Sequence, residues 1–124
     1  MTDNNGLKKI VFDNKEYFLG YKVVTSEMKS LGLRRNPNII EYPVNEWFYL
    51  PKNELKRGKE DWGGIWVCRQ PGAAKKVSEY MMEMYSKPTR IFKTLLDDVL
   101  YANSYRVKTN GVFLFEEITD RFRV

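Results

Sequence analysis

Residues 63–85 read GGIWVCRQPGAAKKVSEYMMEMY. Gly63 to Arg69 is a short strand with apolar residues on both faces. Such a strand wants cover on both sides, which suits the centre of a sheet. Pro71-Gly72 then opens a helix, predicted over Ala73–Tyr85. Proline is tolerated there because the first turn has no intrahelical acceptor for its missing N–H. Val77, Tyr80, Met81 and Met84 follow the i, i+3, i+4, i+7 spacing of one helical face. Lys75, Lys76, Glu79 and Glu83 lie largely off that face, and Lys87-Pro88 ends the element.

Working outward, the N-terminal side is strand-rich. Residues 8–12 and 15–19 flank the turn signal Asp13-Asn14 and predict a β-hairpin. Tyr21–Val24 is a third strand or a continuation past Gly20. Residues 38–42 are strand-like, with Pro43 marking an edge or a bend. Residues 46–50 are aromatic and extended, and Pro51–Trp62 is a charged loop, the segment best suited to move. On the C-terminal side, Thr89–Lys93 predicts a strand and Leu95–Leu100 a short helix with Asp97 and Asp98 facing solvent. Asn110-Gly111 predicts the turn of a closing hairpin between residues 105–108 and 112–115. In that hairpin Val112 and Leu114 point one way and Phe113 and Phe115 the other, so one face suits a subunit contact. The sum is an α+β fold: a mostly antiparallel β-sheet with one main helix, in a single compact domain over residues 8–124, behind a flexible N-terminus of residues 1–7.

Composition excludes several chemistries. The 124 residues contain no histidine and one cysteine, Cys68. A Ser-His-Asp triad, a His-ligated metal, an intrachain disulfide and a four-ligand zinc site are therefore ruled out. The lone cysteine fits a reducing compartment. The start lacks the apolar run of a signal peptide, and no stretch is long and apolar enough to span a bilayer. A cytoplasmic, membrane-free protein is expected. The net charge of +5 arises from 21 basic and 16 acidic residues, spread along the chain.

Gly58 and Gly63 have Walker-type separation, but Gly64-Ile65 stands where Lys-Ser/Thr is needed. The helix start is a more plausible anion site. Arg69 ends the preceding strand, and the amides of Gly72, Ala73 and Ala74 are candidate terminal donors. Arg34-Arg35, Arg69, Arg90, Arg106 and Lys108 fall at element ends, and an arginine fork suits phosphate. Trp62, Trp66, Tyr105 and Phe18 are rings on which a base could stack. Asp97-Asp98 reads as a solvated face, and the neighbours Glu116 and Glu117 point to opposite sides of a strand, so neither pair makes an acid/base couple. Cys68, inside an apolar strand, reads as an inert thiol. No catalytic residue, metal or cofactor is assigned.

Several longer segments carry a resemblance. They are Tyr21–Val24, Lys29–Pro37, Tyr42–Trp47, Asp61–Val67, Thr89–Phe92 and Leu100–Thr109. Together, over roughly residues 20–118, they resemble the phage Thoeris anti-defence proteins of the first type. The resemblance implies a non-enzymatic sponge that binds glycocyclic ADP-ribose without cleaving it, and so blocks TIR-based anti-phage signalling in the bacterial cytoplasm. It also implies a homodimer or higher homo-oligomer, with cyclic trinucleotides held at a second site in some members, and no DNA or RNA partner. For such a ligand, Arg106 with Lys108, and Arg34 or Arg90, would serve phosphates, with Arg69, just beside the matching segments, as a further ligand-binding candidate. Phe18, Trp62 or Tyr105 would stack adenine, and Asn36, Asn103 and Thr109 would read ribose hydroxyls. The residues themselves leave two rivals open: an ADP-ribosyltransferase-like enzyme using NAD, though no Glu-x-Glu is present, and a nucleic-acid or protein interaction module.

Overall fold

A computed structural model describes residues 6–33, 39–58 and 63–122. Its elements are β1 (Lys9–Phe12), β2 (Lys15–Thr25), β3 (Trp47–Tyr49), β4 (Ile65–Cys68), α1 (Pro71–Tyr85), β5 (Thr89–Leu96), β6 (Val99–Ala102), β7 (Arg106–Thr109) and β8 (Gly111–Glu117). This is the expected α+β class. The first hairpin forms as read. Asp13 and Asn14 both take positive φ, 53° and 65°, the twist that a two-residue antiparallel turn favours. β2 does not stop at Gly20 but runs through it for 11 residues. A Cβ on Gly20 would stand 2.8 Å from a Val67 methyl carbon, so the bare glycine is what lets β4 close on β2. Residues 39–42 form only the bridge Lys29↔Glu41; the strand expected at 38–42 is reduced to that, with Pro43 next.

The strands form one antiparallel sheet in the order β3-β8-β5-β2-β4-β7-β6, with β1 added to β2. Its organising feature is a hairpin bent double. Leu96 pairs with Val112, and Val99 pairs with Thr109. Asp97 N–H donates to Gly111 O at 3.2 Å and Asn110 N–H to Asp98 O at 3.3 Å. β5 and β6 are therefore one bent strand, and β7 and β8 are its bent partner. This corrects two expectations. Leu95–Leu100 is not a helix, because Leu95 and Leu96 lie in β5 and Asp97-Asp98 makes the bend. Asn110-Gly111 is not a hairpin turn, because β7 pairs with β4 and β6 while β8 pairs with β3 and β5. The hairpin's true tip is Asn103-Ser104-Tyr105.

The bend curls the sheet, and the inside of the curl is the main core. Val24, Ile65, Val67, Phe92, Leu96, Val99, Val107, Val112 and Leu114 meet there. Leu7 joins them, only 5% exposed. Lys22 also points inward. Its ammonium donates to Trp66 O at 2.7 Å and sits 4.9 Å from the Tyr42 ring centre, which satisfies a charge that would otherwise be costly to bury. On the outer side, α1 lies over Tyr21, Val23 and Ile91. Phe113 and Phe115 are not left bare: Phe12 packs on both, 5.4 and 5.6 Å between ring centres, and Trp47 packs on Phe113. The charged loop is tied down in its described part, where Arg57 pairs with Asp98 and Gly58 N–H donates to Leu100 O.

The helix contacts the sheet along a narrower line than the spacing predicts. Ala74 and Met81 are buried and Val77 packs beside them. Tyr80 and Met84 are exposed, 44% and 59%. A single helix on a curved outer surface touches it only along its centre line, so the flanking apolar residues stay in water. Met81→Ala is expected to cost about 2–5 kcal/mol, the range for truncating a buried large side chain. Met84→Ala should stay within about 0.5 kcal/mol of wild type. Urea unfolding of both variants checks the contrast.

Candidate functional site

β4 runs straight into the helix through Arg69 and Gln70. Gln70 is extended at the helix cap, φ −136°. Its carbonyl accepts the amides of Ala73 and Ala74 at 3.1 and 3.2 Å. Of the three amides read as anion donors, only that of Gly72 is left for a ligand, since Ala73 and Ala74 turn back on the cap. A Cβ on Gly72 would meet nothing within 4 Å, so this helix end faces open space.

That space is a cleft of about 610 Å³, within the range of small-molecule sites. Arg69, Gln70, Pro71 and Gly72 form one wall. Gly6 and Lys8 from the N-terminal arm, Tyr21 from β2 and Ser104 from the hairpin tip form the rest. Two cations and a helix N-terminus line it, and no carboxylate does, among the described residues. Its potential is therefore positive. The arm is fixed by the burial of Leu7 and by Leu19 N–H donating to Lys8 O at 2.9 Å.

Arg69 is the best placed of the sequence-selected residues. Its backbone N–H donates to Tyr105 O at 2.9 Å, and its Nη1 donates to Asn103 O at 2.8 Å. The structure thus brings Arg69, Asn103 and Tyr105 together at the hairpin tip. Tyr105 is 72% exposed, a ring open to solvent beside the cleft.

Among the described residues, the remaining selected side chains are engaged in other contacts or lie outside the cleft. Arg90 has given its fork to Glu117, with Nε and Nη2 donating at 3.0 and 2.7 Å. That pair also pushes the Arg90 pKa further up: the hydrogen bond to Glu117 is the main cause. Its geometry serves the β5–β8 pair rather than a phosphate. Lys108 is fully buried, because the stem packs where a Gly64 Cβ would stand, 2.4 Å from Lys108 Cγ. Thr109 is fully buried too. Its hydroxyl donates to Asp98 O at 2.6 Å and so holds the sheet bend rather than reading a ribose. Asn103 Oδ1 is occupied by the amides of Tyr105 and Arg106. Phe18 packs against the main core, with Lys9 Nζ 5.5 Å from its ring centre. Arg106 lies on Trp66, 4.2 Å from guanidinium carbon to ring centre. Arg34, Asn36 and Trp62 lie outside the described residues.

Sequence reasoning missed Gly6, Lys8, Tyr21 and Ser104. One signal was present: Leu7, an apolar residue in a polar arm, is the anchor that carries Gly6 and Lys8 to the cleft.

Cys68 is the thiol nearest this region and is paired in register with Tyr21. Burial pushes its pKa up to about 11, against an opposing pull from Lys22 and Arg106. Set against known protein families, curated proteins and solved structures, the chain matches none.

The raised thiol pKa yields a test. An unfolded cysteine titrates near about 8.5, so at neutral pH the folded thiolate fraction is lower on the order of a hundredfold. Iodoacetamide should alkylate Cys68 far more slowly in the native chain than in urea, and the native rate should climb as pH approaches 11. The same shift favours the native state while the thiol is neutral. That contribution is full below about pH 8.5 and is lost as pH rises through the folded value. Equal native and denatured alkylation rates at pH 7.5 would contradict the burial.

Proposed function

We propose that this chain binds a phosphorylated small molecule in the cleft at the start of α1 and leaves it whole. One observation carries the reading: Arg69 is held by a carbonyl and not by a carboxylate. A carbonyl orients a guanidinium without cancelling its charge, so the charge remains for an anion. Arg90 is spent on Glu117 and Arg57 on Asp98. Lys8 and the helix start add to the same positive field.

The ligand class follows from the resemblance together with the cleft. A cyclic ADP-ribose isomer carries two phosphates, two riboses and an adenine, and a cleft of about 610 Å³ suits a molecule of that kind. Arg69, Lys8 and the Gly72 amide face the phosphates, Ser104 and Gln70 offer hydroxyl and amide partners, and Tyr105 gives the adenine a ring. Such stacking is worth about 1–3 kcal/mol per base. Retention of the bonds has a physical basis as well. Hydrolysis needs a base to activate water or a hydroxyl, and among the described residues no carboxylate or imidazole lines the cleft beside Ser104. The biological consequence is sequestration of a TIR-made signal in the host cytoplasm, by a homo-oligomer of this chain.

Calorimetric titration with cyclic ADP-ribose isomers tests this. Arg69→Ala should weaken binding by about tenfold to a hundredfold, the cost of losing a charged hydrogen bond. Arg90→Ala should leave affinity unchanged. Ligand recovered from a heat-denatured complex should be chemically intact, and binding should weaken as salt is raised. Equal affinity in wild type and Arg69→Ala, or release of nicotinamide or ADP-ribose during incubation with NAD, would overturn the reading.

A further inference from the structure

We infer that Asn103 is the positioning residue of this site: its side chain fixes the hairpin tip so that the tip's carbonyls hold Arg69 at the cleft. The inference rests on the reading of the cleft as a phosphate site.

The geometry is a two-stage clamp. Asn103 Oδ1 accepts the amides of Tyr105 at 2.9 Å and Arg106 at 3.0 Å. One side-chain oxygen bonding two successive amides just downstream is the Asx-turn arrangement, which locks a short loop into one conformation. The Asn103 N–H donates back to Arg106 O at 3.0 Å, closing the tip from the other side. The locked tip then grips Arg69 at two points, the guanidinium through Asn103 O at 2.8 Å and the backbone through Tyr105 O at 2.9 Å. Both acceptors belong to the segment that Asn103 organises.

A free arginine side chain carries about 2 kcal/mol of rotamer entropy, and a site that binds anions cannot spend a carboxylate on ordering it. Among the described residues no carboxylate pairs with Arg69. The clamp resolves this conflict: it orders the stem with neutral acceptors, so the fork is preorganised and still charged. Asparagine suits the position because it accepts two amides without adding a negative charge.

The test uses the full-length chain, inorganic pyrophosphate as the probe, and calorimetry as the readout. Asn103→Ala removes the shared acceptor and should weaken pyrophosphate binding about tenfold, the value of one charge-assisted hydrogen bond no longer aimed. Asn103→Ser restores a neutral acceptor that supports the same kind of turn and should recover affinity to within about threefold. The Arg69 Nε–H proton signal should be sharp in wild type and in Asn103→Ser, and broadened in Asn103→Ala. If Asn103→Ala does not fold, Asn103→Gly removes the same oxygen and replaces it in the comparison. Wild-type affinity in the Ala or Gly variant, with binding lost in Arg69→Ala, overturns the positioning role and leaves the site reading intact. Serine failing to rescue likewise overturns the positioning role. Unchanged binding in Arg69→Ala, or no pyrophosphate binding by wild type, removes the site reading and this inference with it.

Discussion

A single antiparallel ladder, folded over on itself, is the constraint from which the rest of this molecule follows. The two long strands stay paired on both sides of a corner at Asp97-Asp98 and Asn110. A corner in a sheet breaks backbone hydrogen bonds, and buried backbone groups are costly to leave unpaired. Here the loss is made good by side chains. The Thr109 hydroxyl donates to Asp98 O at 2.6 Å, and Asn110 Oδ1 accepts the Asp98 N–H at 2.9 Å. With the corner satisfied, one half of the ladder adds to β2 and the other half to β4. The sheet must then curl, and the apolar residues of every strand meet inside.

The same fold-over places the site. Bending the ladder carries the 103–105 tip back to the junction of β4 and α1, far along the chain from either end of the corner. Arg69 meets Asn103 and Tyr105 there because β4 and β7 pair in register, Cys68 against Arg106. Site and core are therefore products of one arrangement.

Charge is divided in a way that separates structural cations from a candidate ligand-binding one. Arg57 and Arg90 each meet a carboxylate: Arg57 ties its loop to the corner at Asp98, and Arg90 ties β5 to β8. Lys22 is taken into the curl and satisfied by a carbonyl and a ring. Arg69 is fixed by neutral oxygen at the edge of a cleft with no described acid in its lining. Positive charge gathers at this cleft because Arg69 is ordered there with no carboxylate in the described lining. Arginines at element ends look equivalent in sequence; the partner each one finds makes them different.

Legibility in the sequence followed the range of the interactions. The first hairpin, β4 and α1 were readable because Asp13-Asn14, the double-sided apolar run and Pro71-Gly72 act within a few residues. The segment 95–100 was misread because its apolar periodicity is short enough to suit either a helix turn or two strand ends. Asn110-Gly111 carries a turn signal that here serves a bend between strands belonging to different halves of the sheet. The candidate cleft was half legible: Arg69 and the helix start were visible as neighbours, whereas Lys8, Tyr21 and Ser104 reach it from distant segments. Lys108 and Thr109 looked like binding groups because polarity alone does not tell a buried clamp from an exposed contact.

The amino-acid sequence by itself determined the fold class, the main helix, the first hairpin and the absence of histidine chemistry, since these depend on local sterics, spacing and residue identity. The tertiary structure alone decided which strands pair across the bend, which face of α1 is buried, and which of the arginines meets a carbonyl instead of a carboxylate. Those outcomes depend on groups brought together from far apart in the chain, and no local pattern encodes the partner that a side chain will meet.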